Sequence, residues 1–218
     1  MNGKASMKRR SLNRCLVVLA CSLGLMGHLQ AHAADEAPDL MIKRLSTEVL
    51  DSIRADKAIR AGDMNRIIAL VDAKIMPNVN FQRMTASAIG PGWRQATPEQ
   101  KKRLQEEFKT LLVRTYAGAL SQVTDQTIAL KPMRAAPEDK EVVVRTEVQG
   151  RGDPIQLDYR LEKTPGDGLG WKIYNLNVLG VWLVETYRSQ FAQEISTKGL
   201  DGLIATLTER NKANAKKV

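Results

Sequence analysis

Hydrophobic positions recur at three- and four-residue spacing from residue 40 to residue 120, then at two-residue spacing from 127 to 178. The first regime predicts helices and the second predicts strands. Leu40, Leu45, Val49, Leu50 and Ile53 share roughly one face of a first helix behind Ala37-Pro38-Asp39. Gly62-Asp63 separates it from a second run holding Met64, Ile67, Ile68, Val71 and Ile75. Met76-Pro77 ends that run, because proline has no N–H to give to a helix interior. Phe81, Met84 and Ala88 carry a short third helix to Gly90-Pro91-Gly92. Thr97-Pro98-Glu99-Gln100 opens the clearest helix of the chain, with Thr97 as N-cap, Pro98 in the first helical position and Gln100 completing a capping box. Its apolar face carries Leu104, Phe108, Leu111, Leu112, Thr115, Tyr116, Ala119 and Leu120, and its opposite face Lys101, Lys102, Glu106 and Lys109.

Four strands follow, over 127–130, 141–148, 154–163 and 170–178. In the third, Ile155, Leu157, Tyr159 and Leu161 alternate with Gln156, Asp158, Arg160 and Glu162. Such alternation marks a sheet with one apolar and one wet face. Gln149-Gly150-Arg151-Gly152-Asp153 and Thr164-Pro165-Gly166-Asp167-Gly168 read as hairpin connections. Two closing helices are expected over 183–195 and 200–211, split at Lys198-Gly199, with 212–218 a frayed basic tail. The order of helices, antiparallel meander and helices predicts an α+β fold. It is a single domain over 34–211, with helices packed against one face of a curled four-stranded antiparallel sheet.

The first 33 residues fall outside this pattern. Lys8, Arg9, Arg10 and Arg14 precede an apolar run from Cys15 to Leu29, and Ala31-His32-Ala33-Ala34 offers small residues at A-x-A spacing. Residues 1–33 therefore read as an export signal cleaved after Ala33. Val18-Leu19-Ala20-Cys21 resembles a lipoprotein cleavage site, but the apolar run before Cys21 is very short.

Removing that segment alters the chemistry available. The whole chain has 33 Lys and Arg against 24 Asp and Glu, a formal +9. Lys4, Lys8, Arg9, Arg10 and Arg14 leave with the signal and no acid does, so 28 − 24 gives +4 over the remaining 185 residues. Cys15, Cys21, His28 and His32 leave too, and no Cys or His remains. A thiol nucleophile, a disulfide and a Ser-His-Asp triad are excluded, and zinc, copper and haem lose their usual ligands. No cofactor and no catalytic residue are expected.

The remaining chemical candidates are weak. Arg151-Gly152-Asp153 lies where a hairpin turn needs Gly and Asp anyway. Gly166-Asp167-Gly168-Leu169-Gly170 precedes a strand, whereas a phosphate loop must precede a helix. The acids Glu99, Glu106 and Glu107 offset Lys101-Lys102-Arg103. With few aromatics beside the bases, no nucleic-acid partner is expected. Asp158 and Glu162 share a strand face about 13 Å apart, too far for a paired-carboxylate glycosidase. A carboxylate hydrolase would need other acids converging in a polar cleft.

The apolar inventory admits two readings. Phe108, Leu111, Leu112, Thr115 and Tyr116 lie on the long helix. Val142, Val144, Leu157, Tyr159, Leu161 and Ile173 lie on the strands, and Leu183, Val184, Tyr187 and Phe191 on the late helix. Periodicity alone favours an ordinary core, because packed interiors are the rule. The alternative is that sheet and helices stand apart around a lipid-sized cavity.

Two stretches carry a resemblance. One runs Gly92-Trp93-Arg94-Gln95-Ala96-Thr97-Pro98-Glu99-Gln100 and continues through Phe108-Lys109-Thr110-Leu111-Leu112-Val113-Arg114-Thr115-Tyr116. The other joins Trp171-Lys172-Ile173-Tyr174-Asn175 to the segment from Gly180-Val181-Trp182 to Gln190-Phe191. With Gly199-Leu200-Asp201-Gly202-Leu203-Ile204, they resemble the MlaC family of periplasmic phospholipid-binding proteins, also called toluene-tolerance auxiliary components. The match runs from about Val71 to Asn211.

The resemblance implies a periplasmic shuttle that carries phospholipid between an outer-membrane lipoprotein complex and an inner-membrane ABC transporter with an MCE-domain protein. Such a shuttle would maintain outer-membrane lipid asymmetry. The implied site is an apolar cavity lined by Phe108, Leu111, Leu112, Tyr116, Val142, Val144, Leu157, Tyr159, Leu161, Ile173, Val184 and Tyr187, with phospholipid as cargo. A non-carrying adaptor of an ABC transporter and a carrier of another apolar lipid, such as a hopanoid, remain the alternatives.

Overall fold

The computed structural model describes residues 36–136 and 138–215. The export segment and its cleavage point lie outside the described residues, as do 216–218.

Helix α1 (Pro38–Ala55) starts on a proline and ends where Asp56 turns extended. The Asp56 carboxylate then accepts from the N–H groups of Ala58 and Ile59, capping a one-turn helix, α2 (Lys57–Arg60). That break was not expected from the apolar spacing. Asp63 caps α3 (Met64–Leu70) in the same way. The expected run to Ile75 does not stay α-helical. It widens into a π-turn over Val71–Ile75 and tightens into a 3-10 turn over Met76–Asn78. Pro77 is the physical reason, since it cannot supply the N–H that would continue the ladder.

Asn80 caps α4 (Phe81–Ile89), and a single turn, α5 (Gly92–Gln95), leads to α6 (Pro98–Ser121). The capping box on α6 forms as read: Gln100 N–H donates to Thr97 Oγ1 and Thr97 N–H to Gln100 Oε1, at 3.2 and 3.0 Å.

The sheet has five strands in sequence order, all antiparallel: β1 (Thr127–Leu130), β2 (Glu141–Gln149), β3 (Ile155–Lys163), β4 (Trp171–Val178) and β5 (Val181–Trp182). The expected count of four is corrected by β5. Leu179 and Gly180, both at positive φ, turn the chain back on itself before the last helix. The closing segment α7 (Leu183–Ala215) is two helices joined end to end. Gly199, at φ 69° and ψ −174°, kinks it where the break was expected. The helical region also extends past Lys212 to Ala215.

The apolar residues gather into three clusters. One joins α4, α6 and α7 around Phe108, Phe191, Leu104 and Leu203. A second joins the end of α1 with α2, α3 and the Val113–Ala117 side of α6. The third seats Met41, Ile42 and Leu45 of α1 on Val142, Val144, Leu161, Trp171 and Ile173 of the sheet. Val79 packs against the first and third clusters, and Val49 against the second and third. Among the described residues, no helix is long and apolar enough to cross a membrane.

Candidate functional site

Pairing places one set of side chains on a common sheet face, because directly opposed residues point the same way. Ile128 opposes Val148, which opposes Ile155. Thr146 opposes Leu157, which opposes Val178. Val144 opposes Tyr159, which opposes Leu176, and Val142 opposes Leu161, which opposes Ile173. This face is apolar apart from Thr146, whose hydroxyl donates to the Leu157 carbonyl at 2.8 Å.

Exposure along this face changes in one direction. On β3, Leu161 is fully buried, Leu157 and Tyr159 are partly accessible, and Ile155 is 43% exposed. From β4 to β5, Ile173 is buried, Leu176 and Val178 are partly accessible, and Val181, opposite Val178, is 50% exposed. Helix α6 repeats the trend. Leu104 and Phe108 are fully buried, while Leu112, Tyr116 and Leu120 are partly accessible. Its C-terminus lies only a short loop from the start of β1, at the same end of the sheet as Ile155 and Val181. Helix α6 packs on α7, α3, α4 and α2, with no comparable packing on the sheet. Side chains bridge sheet and helix: Leu176 and Val178 pack against the cluster that holds Phe108 and Leu111, and Ile128 against the one that holds Val113 and Ala117.

Tyr159 sits between the sheet face and α1. Burial pushes its phenol above the usual value, opposed by hydrogen bonds with Ser46 and Thr146. It nevertheless keeps accessible surface. Burial also raises Tyr116, with Tyr187 adding to the effect, and raises Tyr187, where a hydrogen bond with Thr115 opposes the shift.

The twelve expected lining residues divide between two clusters. Phe108, Leu111, Val184 and Tyr187 are buried in the helical cluster, with Leu112 and Tyr116 on its margin. Val142, Val144, Leu161 and Ile173 are buried in the sheet cluster, with Tyr159 on its margin. Leu157 is partly accessible. Eight of the twelve are thus packed walls and four face the accessible side. Thr115, expected on the apolar face of α6, is exposed.

Leu176 and Val178 were missed, because the register between β3 and β4 shifts at Arg160/Leu161. The shift leaves Tyr174 without a paired partner and moves the apolar positions of β4 out of phase. The three-residue step from Ile173 to Leu176 is the sequence trace of that bulge.

The opposite sheet face is polar and partly covered. Asn175 Oδ1 accepts from the Val184 and Leu176 N–H groups, and its Nδ2 donates to Glu185, tying β4 to the start of α7. Arg160 stacks over Trp182 at 4.0 Å and pairs with Glu185. Arg83 bridges Glu141 and Glu162 at 2.6 and 2.5 Å, locking α4 to the sheet.

Two cavities lie elsewhere on the described residues. A groove of about 630 Å³ runs along α1, α2 and α3 past Asp56, Lys57 and Arg66. A pocket of about 240 Å³ on the polar face holds Lys131, Arg145, Glu147, Gln156 and Asp158. None of the twelve residues lines either one. Among the described residues, no group of three or more Asp, Glu, His or Cys could hold a metal ion.

Comparison with known proteins places this geometry. A solved structure of a phospholipid-binding protein from Ralstonia solanacearum, in complex with a phospholipid, superposes with a TM-score of 0.79 at 47% identity. The match covers 83% of this chain and 99% of that one. The toluene tolerance protein ttg2D of Pseudomonas putida is 29% identical over 192 residues, 87% of this chain and 85% of its own length. The intermembrane phospholipid transport system binding protein MlaC of Haemophilus influenzae is 22% identical over 81% of this chain and 83% of its own. The family model described as MlaC protein matches residues 43–209, and with these relatives it establishes that the chain belongs to the MlaC family.

Proposed function

We propose that this chain is a periplasmic phospholipid carrier. Acyl chains lie between the apolar sheet face and α6, with the headgroup at the open end. The observation that carries the reading is a set of apolar side chains that keep accessible surface beside buried neighbours: Leu112, Tyr116, Leu157, Tyr159, Leu176 and Val178. A relative 47% identical to this chain was solved with phospholipid bound, which supports the same cargo here.

Phe108, Leu111, Val142, Val144, Leu161, Ile173, Val184 and Tyr187 form the rigid walls. Leu112, Tyr116, Leu157 and Tyr159 touch the chains. No catalytic residue is involved. The carrier exchanges lipid with an outer-membrane lipoprotein complex and an inner-membrane MCE-domain ABC transporter, helping to maintain outer-membrane asymmetry. Residues 1–33 direct its export.

Energetics support carriage with few polar contacts. Acyl burial is worth about 0.8 kcal/mol per CH₂. Two chains of roughly sixteen carbons gain on the order of 20 kcal/mol over water by the same measure. A bilayer offers nearly as much, so exchange is close to neutral once water is kept out.

Native mass spectrometry of the protein purified from the periplasm tests this. Phospholipid adducts are expected, and Leu157→Trp or Leu112→Trp should remove them by filling the space. Folded wild-type protein without adducts would overturn the reading, and ring-lipid adducts would redirect it to another cargo.

A further inference from the structure

Three of the four large hydrophobic side chains exposed among the described residues meet at one place. Leu179 is 64% exposed, Val181 50% and Ile155 43%. The Leu179 N–H donates to the Gln156 carbonyl at 3.0 Å, which sets the β4–β5 turn beside the start of β3. Val181 opposes Val178, and Ile155 opposes Val148. Both therefore continue the apolar sheet face past the point where helices cover it. The face ends in these exposed side chains.

Leu179 is also the only described non-glycine residue at positive φ, 52°. With Gly180 at φ 86°, it forms a two-residue hairpin turn of a kind that favours Asn-Gly. Leucine is poorly suited to this backbone, and at 64% exposure its side chain gains little burial in return. The turn is nevertheless held firmly, because the buried Asn177 side chain accepts from the Gly180 N–H at 2.8 Å. A strained conformation fixed by its surroundings suggests a use outside the fold.

The charge around the tip narrows the occupant. Residues 176–184 contain no ionisable side chain, and 149–156 contain only Arg151 and Asp153. Arg151 pairs with Asp125 at 3.1 Å. A tip that lies on an anionic bilayer carries flanking Lys or Arg, and within these two stretches the one cation is the ion-paired Arg151. The tip matches an uncharged aliphatic surface on a protein.

We propose that Leu179, Val181 and Ile155 form the docking lip of the carrier. This lip seats on an uncharged apolar lip of a protein acceptor, so that acyl chains cross from mouth to mouth without meeting water. This inference rests on the carrier reading above, and it assigns the surface through which cargo leaves.

Leu179→Asn tests it, because asparagine suits the turn and removes the apolar side chain. The mature variant should melt at the wild-type temperature or about 2–4 °C higher, and native mass spectrometry should find its phospholipid content unchanged. Its affinity for the inner-membrane MCE-domain complex in nanodiscs should fall at least tenfold, as should delivery of a fluorescent phospholipid to that complex. Delivery to protein-free vesicles of phosphatidylethanolamine and phosphatidylglycerol should not change. Val181→Ser should act in the same direction. Unchanged affinity in both variants would overturn the proposal, as would an equal loss of delivery to protein-free vesicles, which would make the bilayer the occupant. Absence of phospholipid from both wild type and variant would fail the carrier reading, while the affinity comparison would still decide this one.

Discussion

Phe108→Ala should separate wall from gap. Phe108 is fully buried and lies against Phe81, Tyr187 and Phe191, with ring centroids at 5.8, 5.0 and 5.3 Å. The last two contacts are edge-to-face. Phenylalanine-to-alanine changes in packed cores cost about 3–5 kcal/mol, set by how far the neighbours can collapse. Here the neighbours are rigid rings on two other helices, α4 and α7, so collapse is poor and the upper part of that range applies, about 4–5 kcal/mol. In a domain of this size each kcal/mol moves Tm by about 2–4 °C, so a fall of about 8–20 °C is expected. The assay must use delipidated protein, since cargo at a hundredfold excess over Kd would add about 2.7 kcal/mol to the native state. Urea titration of wild type and variant at equal m gives the difference directly. A loss below about 2 kcal/mol with an intact fold would refute the reasoning. It would mean that Phe108 already borders open space, and that the gap reaches the helical cluster instead of ending at it.

The remaining predictions are smaller. Thr97→Ala removes one half of the α6 capping box and should cost about 1 kcal/mol, read from the urea midpoint. An unchanged midpoint would show that the rest of the α6 start holds the helix without its cap. Glu141 titrates below the usual carboxylate range because of its hydrogen bonds from Arg83 and Tyr174. A lowered folded value means stability that is present above the unfolded carboxylate pKa of about 4.3 and lost as pH falls through the folded value. Glu141→Gln should therefore flatten the decline of Tm below about pH 4. Parallel wild-type and variant profiles would count against this assignment.

Local signals were legible in the residues alone. The Thr97–Gln100 capping box, the kink at Gly199, the strands after residue 127 and the α+β order all depend on contacts within a few residues, so spacing and turn chemistry reveal them. Most of the candidate site was legible to the extent that it consists of apolar residues on a helix and a sheet face.

Packing between elements sets which of these residues are fully enclosed and which keep accessible surface. Phe108 and Leu112 are one helical turn apart and chemically alike, yet the first is enclosed by α4 and α7 and the second is not. The same holds for Leu161 and Leu157 on β3. The phase of β4 was hidden because a bulge is a property of pairing with β3, and it moved Leu176 and Val178 onto the apolar face. Hydrophobicity fixes that a side chain avoids water. Whether it meets another side chain or space for a ligand depends on where separate elements stop approaching one another, and no single stretch of chain encodes that distance.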